Sequence, residues 1–157
     1  MIVSEPPIKK RLPNFPSSIV PIFHHKNTDS IVRTCVCILN KRISPMILSE
    51  FSTNDFIVCQ IGHLIISSIY ANPNSDITDT IHCIDHLMAT SHQANILIAG
   101  DFNSSNRFWY SNSNDVRGDL LLSTIIQHNL VVINNCATPT FNTFRRNRQL
   151  TSHIDQH

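Results

Sequence analysis

Glycine is scarce, three in 157 residues, so wherever one stands the backbone conformation there needs a reason. An excess of charge of one sign is also lacking. Twelve Lys and Arg against eleven Asp and Glu leave a formal net charge of +1. That argues against the broadly basic surface of a protein that wraps nucleic acid through many phosphates; any such binding falls to local clusters. The cysteines (Cys35, Cys37, Cys59, Cys83 and Cys136) include no C-x-x-C pair. Their odd number, and the lack of a secretory signal in the opening residues, indicate reduced thiols in an intracellular protein. Cys35 and Cys37 lie two apart in a β-like run, so they share a face, and a bond between them would be strained. No apolar run approaches the length needed to span a bilayer; Leu64–Tyr70 is far too short. No internal repeat or low-complexity tract occurs.

What the chain does have is enough apolar material for a core. It is 41% hydrophobic and 15% charged, outside the disordered range, and its length is that of one domain, 1–157. Prolines at 6, 7, 13, 16 and 21 keep the first thirty residues irregular. From Ile31 the pattern turns β-like: IVRTCVCIL (Ile31–Leu39), DFIVCQI (Asp55–Ile61) and LIISSIY (Leu64–Tyr70). The last two are separated by Gly62-His63, which reads as a hairpin turn. Ile77, Ile81, Ile84, Leu87 and Met88 predict a helix over 77–90, with Ser75 or Asp76 as N-cap. NILIA (Asn95–Ala99) is a continuous apolar run of the kind a strand buried on both faces shows. A second helix is predicted over 118–128. LVVIN (Leu130–Asn134), TFNTF (Thr140–Phe144) and the start of SHID (Ser152–Asp155) are predicted strands. β-rich segments with two inserted helices give an α/β layered domain.

Several side chains sit where chemistry is done. Asp101 and Asn103 in ILIAGDFNSSNRFW follow a buried strand directly, and ligand sites in layered α/β folds cluster at the carboxyl ends of strands. Gly, Asp and Asn are equally good turn formers, so these four residues alone leave both readings open. Glu5 in IVSEPP, Tyr70 before the ANPNSD turn and Asp155 in TSHID each follow an apolar step and are weak signals taken singly. A lone carboxylate is usually solvated, and a tyrosine at a strand end is more often an anchor. His82 and His86, spaced i, i+4, lack a third ligand in reach and read as solvent-facing rather than as a zinc site. Arg145, Arg146 and Arg148 in FRRNRQ form a basic cluster, either a solvated hairpin tip or a phosphate-facing one.

In order along the chain, VSEPP (Val3–Pro7), SSIYANPNSD (Ser67–Asp76), ILIAGDFNSSNRFWYS (Ile96–Ser111), NDVRGDLLLSTIIQHNLVVINN (Asn114–Asn135), PTF (Pro139–Phe141) and SHID resemble the endonuclease/exonuclease/phosphatase superfamily. Within it they are most similar to the apurinic-type endonuclease domain of non-LTR (LINE-like, Jockey-type) retrotransposons. The resemblance implies a four-layered α/β sandwich, two β-sheets packed together with helices outside. It implies Mg2+ (or Mn2+) bound by Glu5, a scissile phosphate met by Tyr70, and a water oriented or deprotonated by Asp101. It further implies that Asn103 fixes phosphate and water, that Thr140 lies near the DNA-binding surface, and that Asp155 holds a catalytic histidine. Arg145, Arg146 and Arg148 would then face nucleic acid.

The substrate implied is DNA, nicked to prime reverse transcription. The implied partners are a fused reverse transcriptase and the element RNA, in the nucleus or cytoplasm and without a membrane. The family's asparagine-bearing first strand and its later Ser-Asp-His strand have no counterpart within 1–157. The expectation is therefore a domain truncated at both ends, with weak or no nuclease activity by itself. A non-catalytic remnant and another phosphoesterase of the superfamily are the alternatives.

Overall fold

A computed structural model of the chain describes residues 1–25, 30–91, 95–133, 141–145 and 148–152. The strands are β1 (Ile2–Ser4), β2 (Ile8–Lys9), β3 (Leu12–Pro13), β4 (Val20–Ile22), β5 (Thr34–Ile38), β6 (Met46–Ile47), β7 (Phe56–Ile61) and β8 (Leu64–Tyr70). Helix α1 (Thr78–Thr90), strand β9 (Asn95–Asp101), helix α2 (Val116–Gln127) and strands β10 (Phe141–Arg145) and β11 (Arg148–Ser152) complete the order. Two compact units result, Met1–Phe102 and Asn103–Gln156.

The first unit contains two sheets. One is antiparallel with order β1-β5-β4; the other runs β6-β7-β8-β9, with β8 and β9 parallel. Cross-strand pairing decides which side chains meet, because paired residues share a face. Val36 and Ile38 of β5 pack against Ile57 and Cys59 of β7, with Ile2, Ile22, Ile61 and Ile66 closing the cluster. The Thr34 and Ser68 hydroxyls hydrogen-bond across the same interface. The opposite faces of β7 and β8 carry Phe56, Val58, Ile65 and Ile69, which are also buried. A parallel pair needs a crossover connection, and α1 is that connection. With the inner face of the sheet already covered by β5, the crossover helix takes the outer one, burying Ile84 and Leu87. Truncating Leu87, which is fully buried, to alanine would cost about 2–5 kcal/mol.

The hairpin expected at Gly62-His63 is present: Ile61 pairs with Leu64 and Gly62 takes φ +60°, the conformation such turns require. Helix α1 starts where Asp76 Oδ1 accepts the N–H of Thr78 at 2.9 Å. His82 and His86 lie on its exposed side, with the His86 ring 4.9 Å from that of Phe51. Helix α2 begins two residues earlier than its apolar spacing predicts, because Asp115 caps it, accepting the Gly118 N–H at 2.6 Å. Two expectations differ. The first thirty residues are not irregular throughout: β1 to β4 form there, with Pro13 and Pro21 inside short strands at sheet edges, where proline is tolerated. Residues 130–133 of LVVIN form no strand, and Val131 and Ile133 are exposed. An apolar β-branched run is a strand only where a neighbour supplies the ladder, and among the described residues none pairs with it. No helix among the described residues is long and apolar enough to cross a membrane.

Candidate active site at the carboxyl ends of β1, β8 and β9

Three strands deliver their last residues to one place. In the parallel β8–β9 ladder Ile69 pairs with Gly100 and Tyr70 with Asp101, so both chains exit the sheet side by side. The approach is tight at Gly100, which has φ +148°: a Cβ there would overlap the Ile69 carbonyl and come within 2.7 Å of the Ile69 nitrogen. Only glycine fits that step. Beyond it, the Ala71 N–H donates to the Asp101 carbonyl at 2.8 Å and continues the ladder one residue past the strands.

The third strand comes from the other sheet. Ser4, the last residue of β1, points inward; its hydroxyl donates to the Ile69 carbonyl at 2.9 Å and accepts the Asp101 N–H at 3.1 Å. The next residue, Glu5, leaves the strand with φ +51°, a left-handed conformation that is strained for a side chain of this kind. It is held there by its N–H, which donates to the Arg33 carbonyl at 2.8 Å. The turn directs the Glu5 carboxylate to Tyr70, whose hydroxyl donates to it.

Tyr70 is thereby the centre of the group. It is 8% exposed. Burial pushes its hydroxyl above the usual phenol range, the Glu5 hydrogen bond and charge push further, and the Asp101 carboxylate adds to the effect, while Arg33 partly offsets them. Each of these causes except Arg33 favours the neutral phenol, so Tyr70 is a hydrogen-bond donor at neutral pH. The Arg33 guanidinium carbon stands 5.5 Å from the Tyr70 ring centroid, within cation–π range, and Arg33 Nε donates to Asp55 Oδ1 at 2.8 Å. An all-oxygen donor set of two carboxylates and a phenol suits a hard divalent cation. Among the described residues no group of three or more His, Cys, Asp and Glu gathers to hold a metal. Mg2+ habitually binds through one or two carboxylates and completes its shell with water and phosphate oxygens, so Glu5 fits it.

Of the residues expected from sequence, Glu5, Tyr70 and Asp101 are thus brought together. Asn103 opens the second unit with φ +45°, and its carbonyl accepts Arg117 Nε at 2.8 Å. Thr140, Arg146 and Asp155 lie outside the described residues. Arg145 and Arg148 form the last register pair of the antiparallel β10–β11 ladder. Ser4, Arg33 and Asp55 were not foreseen. Arg33 did carry a signal, as the lone cation inside the apolar run Ile31–Leu39; Ser4 and Asp55 act through contacts that no local pattern encodes. A separate cavity of about 390 Å3, lined by Val20, Ile22, Ile38, Lys41, Ile43, Ser44 and Pro45, contains no acid or imidazole and offers no comparable chemistry.

The second unit is organised around the start of α2. Asp115 also accepts the Ser105 N–H at 3.0 Å, and Asn106 Nδ2 donates to Asp119 Oδ1 at 2.8 Å. These bonds tie the loop after Asn103 to the helix. The lone tryptophan, Trp109, is buried at the end of that loop.

The chain shares its fold with the endonuclease domain of TRAS1, a telomere-specific non-LTR retrotransposon. The two match with a TM-score of 0.83 at 22% identity, over 91% of this chain and 67% of that one. No curated protein sequence matches. A family model described as endonuclease-reverse transcriptase matches residues 64–157, more than half of the chain and including Tyr70, Asp101 and Asn103. The chain therefore belongs to the endonuclease-reverse transcriptase family.

Proposed function

We propose that the chain is the DNA-nicking endonuclease domain of a non-LTR retrotransposon and works by metal-dependent phosphodiester hydrolysis. The observation that carries this reading is the Glu5–Tyr70–Asp101 group at the converging strand ends. Glu5 would hold a divalent cation, Mg2+ or Mn2+. Bound there, the cation supplies Lewis-acid stabilisation for charge gathering on the phosphoryl oxygens. The phenol of Tyr70 keeps its proton and is positioned before the reaction, so it can donate to a phosphate oxygen without reorganising. Asp101 takes the proton of the attacking water as general base. Asn103 offers an amide to phosphate and water, and Thr140, Arg145, Arg146 and Arg148 would meet the DNA backbone. Asp155 would hold a histidine in one tautomer.

In a complete element the domain would be joined to a reverse transcriptase and act with the element RNA, in the nucleus or cytoplasm. The resemblance assigns no catalytic histidine to these 157 residues, so the rate of the chain by itself is expected to be low. The test is conversion of supercoiled plasmid to the nicked form with Mg2+, followed over long incubations. Asp101→Ala should reduce the rate by about 10²–10⁴-fold. Equal nicking by the variant and the parent would overturn the proposal.

A further inference from the structure

Arg33 has no part in the reaction as set out above, yet its charge acts directly on the reacting group. Its backbone is fixed on both sides: the N–H donates to the Asn54 carbonyl at 3.0 Å and the carbonyl accepts the Glu5 N–H at 2.8 Å. Its side chain is fixed twice more, by the Nε bond to Asp55 Oδ1 at 2.8 Å and by the Tyr70 ring face 5.5 Å away. A guanidinium presents five donors in a planar fork. The bond to Asp55 uses the Nε hydrogen and not those of the terminal nitrogens, and the side chain is 39% exposed. Planar forks of this kind match phosphate oxygens better than any other side chain.

The electrostatics ask for such a group. Tyr70 carries a neutral donor flanked by the negative charges of Glu5 and Asp101, with Arg33 as the opposing positive charge. An oxyanion drawn to the Tyr70 hydroxyl is repelled by both carboxylates, and a fixed cation against the same ring offsets that repulsion. A lysine could supply the charge but not the fork, and without Asp55 the long side chain would lose its fixed direction.

We propose that Arg33 is a phosphate-binding residue whose terminal guanidinium nitrogens take a non-bridging oxygen of the phosphodiester that meets Tyr70, with Asp55 as its positioning residue. The proposal deepens the endonuclease reading and rests on it for the identity of the phosphodiester as DNA.

Two titrations in EDTA test it. In the first, dimethyl phosphate is added to ¹⁵N-labelled protein and the Arg33 Nε and Tyr70 ring signals are followed by NMR. Saturable shifts are expected in the parent, with binding weakened about tenfold or more in Arg33→Met, the loss of a charge-assisted contact. Arg33→Lys, which keeps the charge, should show an intermediate loss and serves if the methionine variant does not fold. Asp55→Asn should weaken binding while leaving Arg33 in place, and Arg42→Met should change nothing. In the second, a short DNA duplex is titrated by fluorescence anisotropy, and Arg33→Met should lower the salt slope by about one. Absence of dimethyl phosphate binding in the parent, or equal binding by the folded Arg33 variants, would overturn the proposal. Weaker dimethyl phosphate binding with unchanged duplex binding would keep Arg33 as a phosphate ligand and sink the DNA reading instead.

Discussion

The hydroxyl of Ser4 accepts the backbone N–H of Asp101 at 3.1 Å, joining the end strand of one sheet to the carboxyl end of the other. The same hydroxyl donates to Ile69, so one small side chain satisfies two backbone groups on adjacent strands. Glu5 and Asp101, one residue beyond these contacts and at them, therefore inherit their separation from Ser4. Ser4→Ala should destabilise the protein by about 1–3 kcal/mol, since it leaves a donor and an acceptor without their partner. It should also slow plasmid nicking. Urea unfolding followed by circular dichroism measures the first effect; a midpoint unchanged from the parent would show that the bridge does not set the strand ends.

Tyr70→Phe removes a single hydroxyl and keeps the ring against Arg33. Nicking should fall by about 100-fold, the usual consequence of deleting one positioned donor at a developing charge. The unfolding midpoint should shift little, because the phenol contributes to the site rather than to the core. A variant that nicks at the parental rate would remove Tyr70 from the reaction.

Gly100 and Gly62 both have positive φ, but for different reasons. At Gly62 an added Cβ meets nothing within 4 Å, so Gly62→Ala should cost about 1–2 kcal/mol from the left-handed backbone alone. At Gly100 the Cβ would also overlap Ile69, and Gly100→Ala should cost more than Gly62→Ala and pull Asp101 out of register with Tyr70. Equal costs by urea denaturation would disprove the steric argument.

Gly118 reverses an ordinary rule. Within a helix, glycine to alanine normally stabilises by about 1 kcal/mol. Here the new Cβ would overlap the Ser105 carbonyl and lie 3.2 Å from Asn106 Cβ, so Gly118→Ala should instead destabilise the second unit by about 1–3 kcal/mol. The fluorescence of Trp109 is the direct readout, and a stabilised variant would contradict the close approach.

The buried thiols set the alkaline limit. Burial raises Cys35, Cys37 and Cys59 above the ordinary thiol range, with the neighbouring thiol adding to the shift at Cys35; Tyr70 is raised as well. In each case the unfolded chain releases its proton first. The stability these groups contribute is fully present below the unfolded thiol value of about 8.5 and falls as pH rises above it. Under reducing conditions the urea midpoint should hold steady between pH 7 and 8 and drop between pH 9 and 10. The drop should be smaller in a Cys35→Ala/Cys37→Ala variant. A midpoint flat to pH 10 would contradict the shifts.

Much of this was legible in the sequence wherever a pattern is local. The strands at Asp55–Ile61 and Leu64–Tyr70 and the turn at Gly62-His63 follow from β-branched runs interrupted by a glycine. The helix over 77–90 follows from its apolar spacing. Asp101 was visible as an acid just past a buried strand, yet turn or site could not be decided there, because Gly100 is explained by Ile69, a residue on another strand. Glu5 and Tyr70 were weak signals for the same reason: each is ordinary until β1 and β8 converge. Arg33, Asp55 and Ser4 were missed because their roles exist only in cross-strand contacts, and the strand expected at LVVIN needed a partner that its own residues could not supply.

The bond between Ser4 and Asp101 spans 97 positions, and that separation governs when the site can form. Contacts so distant along the chain carry a large loop-closure cost and come late in folding. During synthesis from the amino terminus, β1 through β8 can be complete while Ser4 still lacks one of its two partners and Glu5 has no Asp101 to face. The nascent chain acquires its paired carboxylates only when β9 docks beside β8, so assembly of the inner sheets precedes any hydrolytic competence.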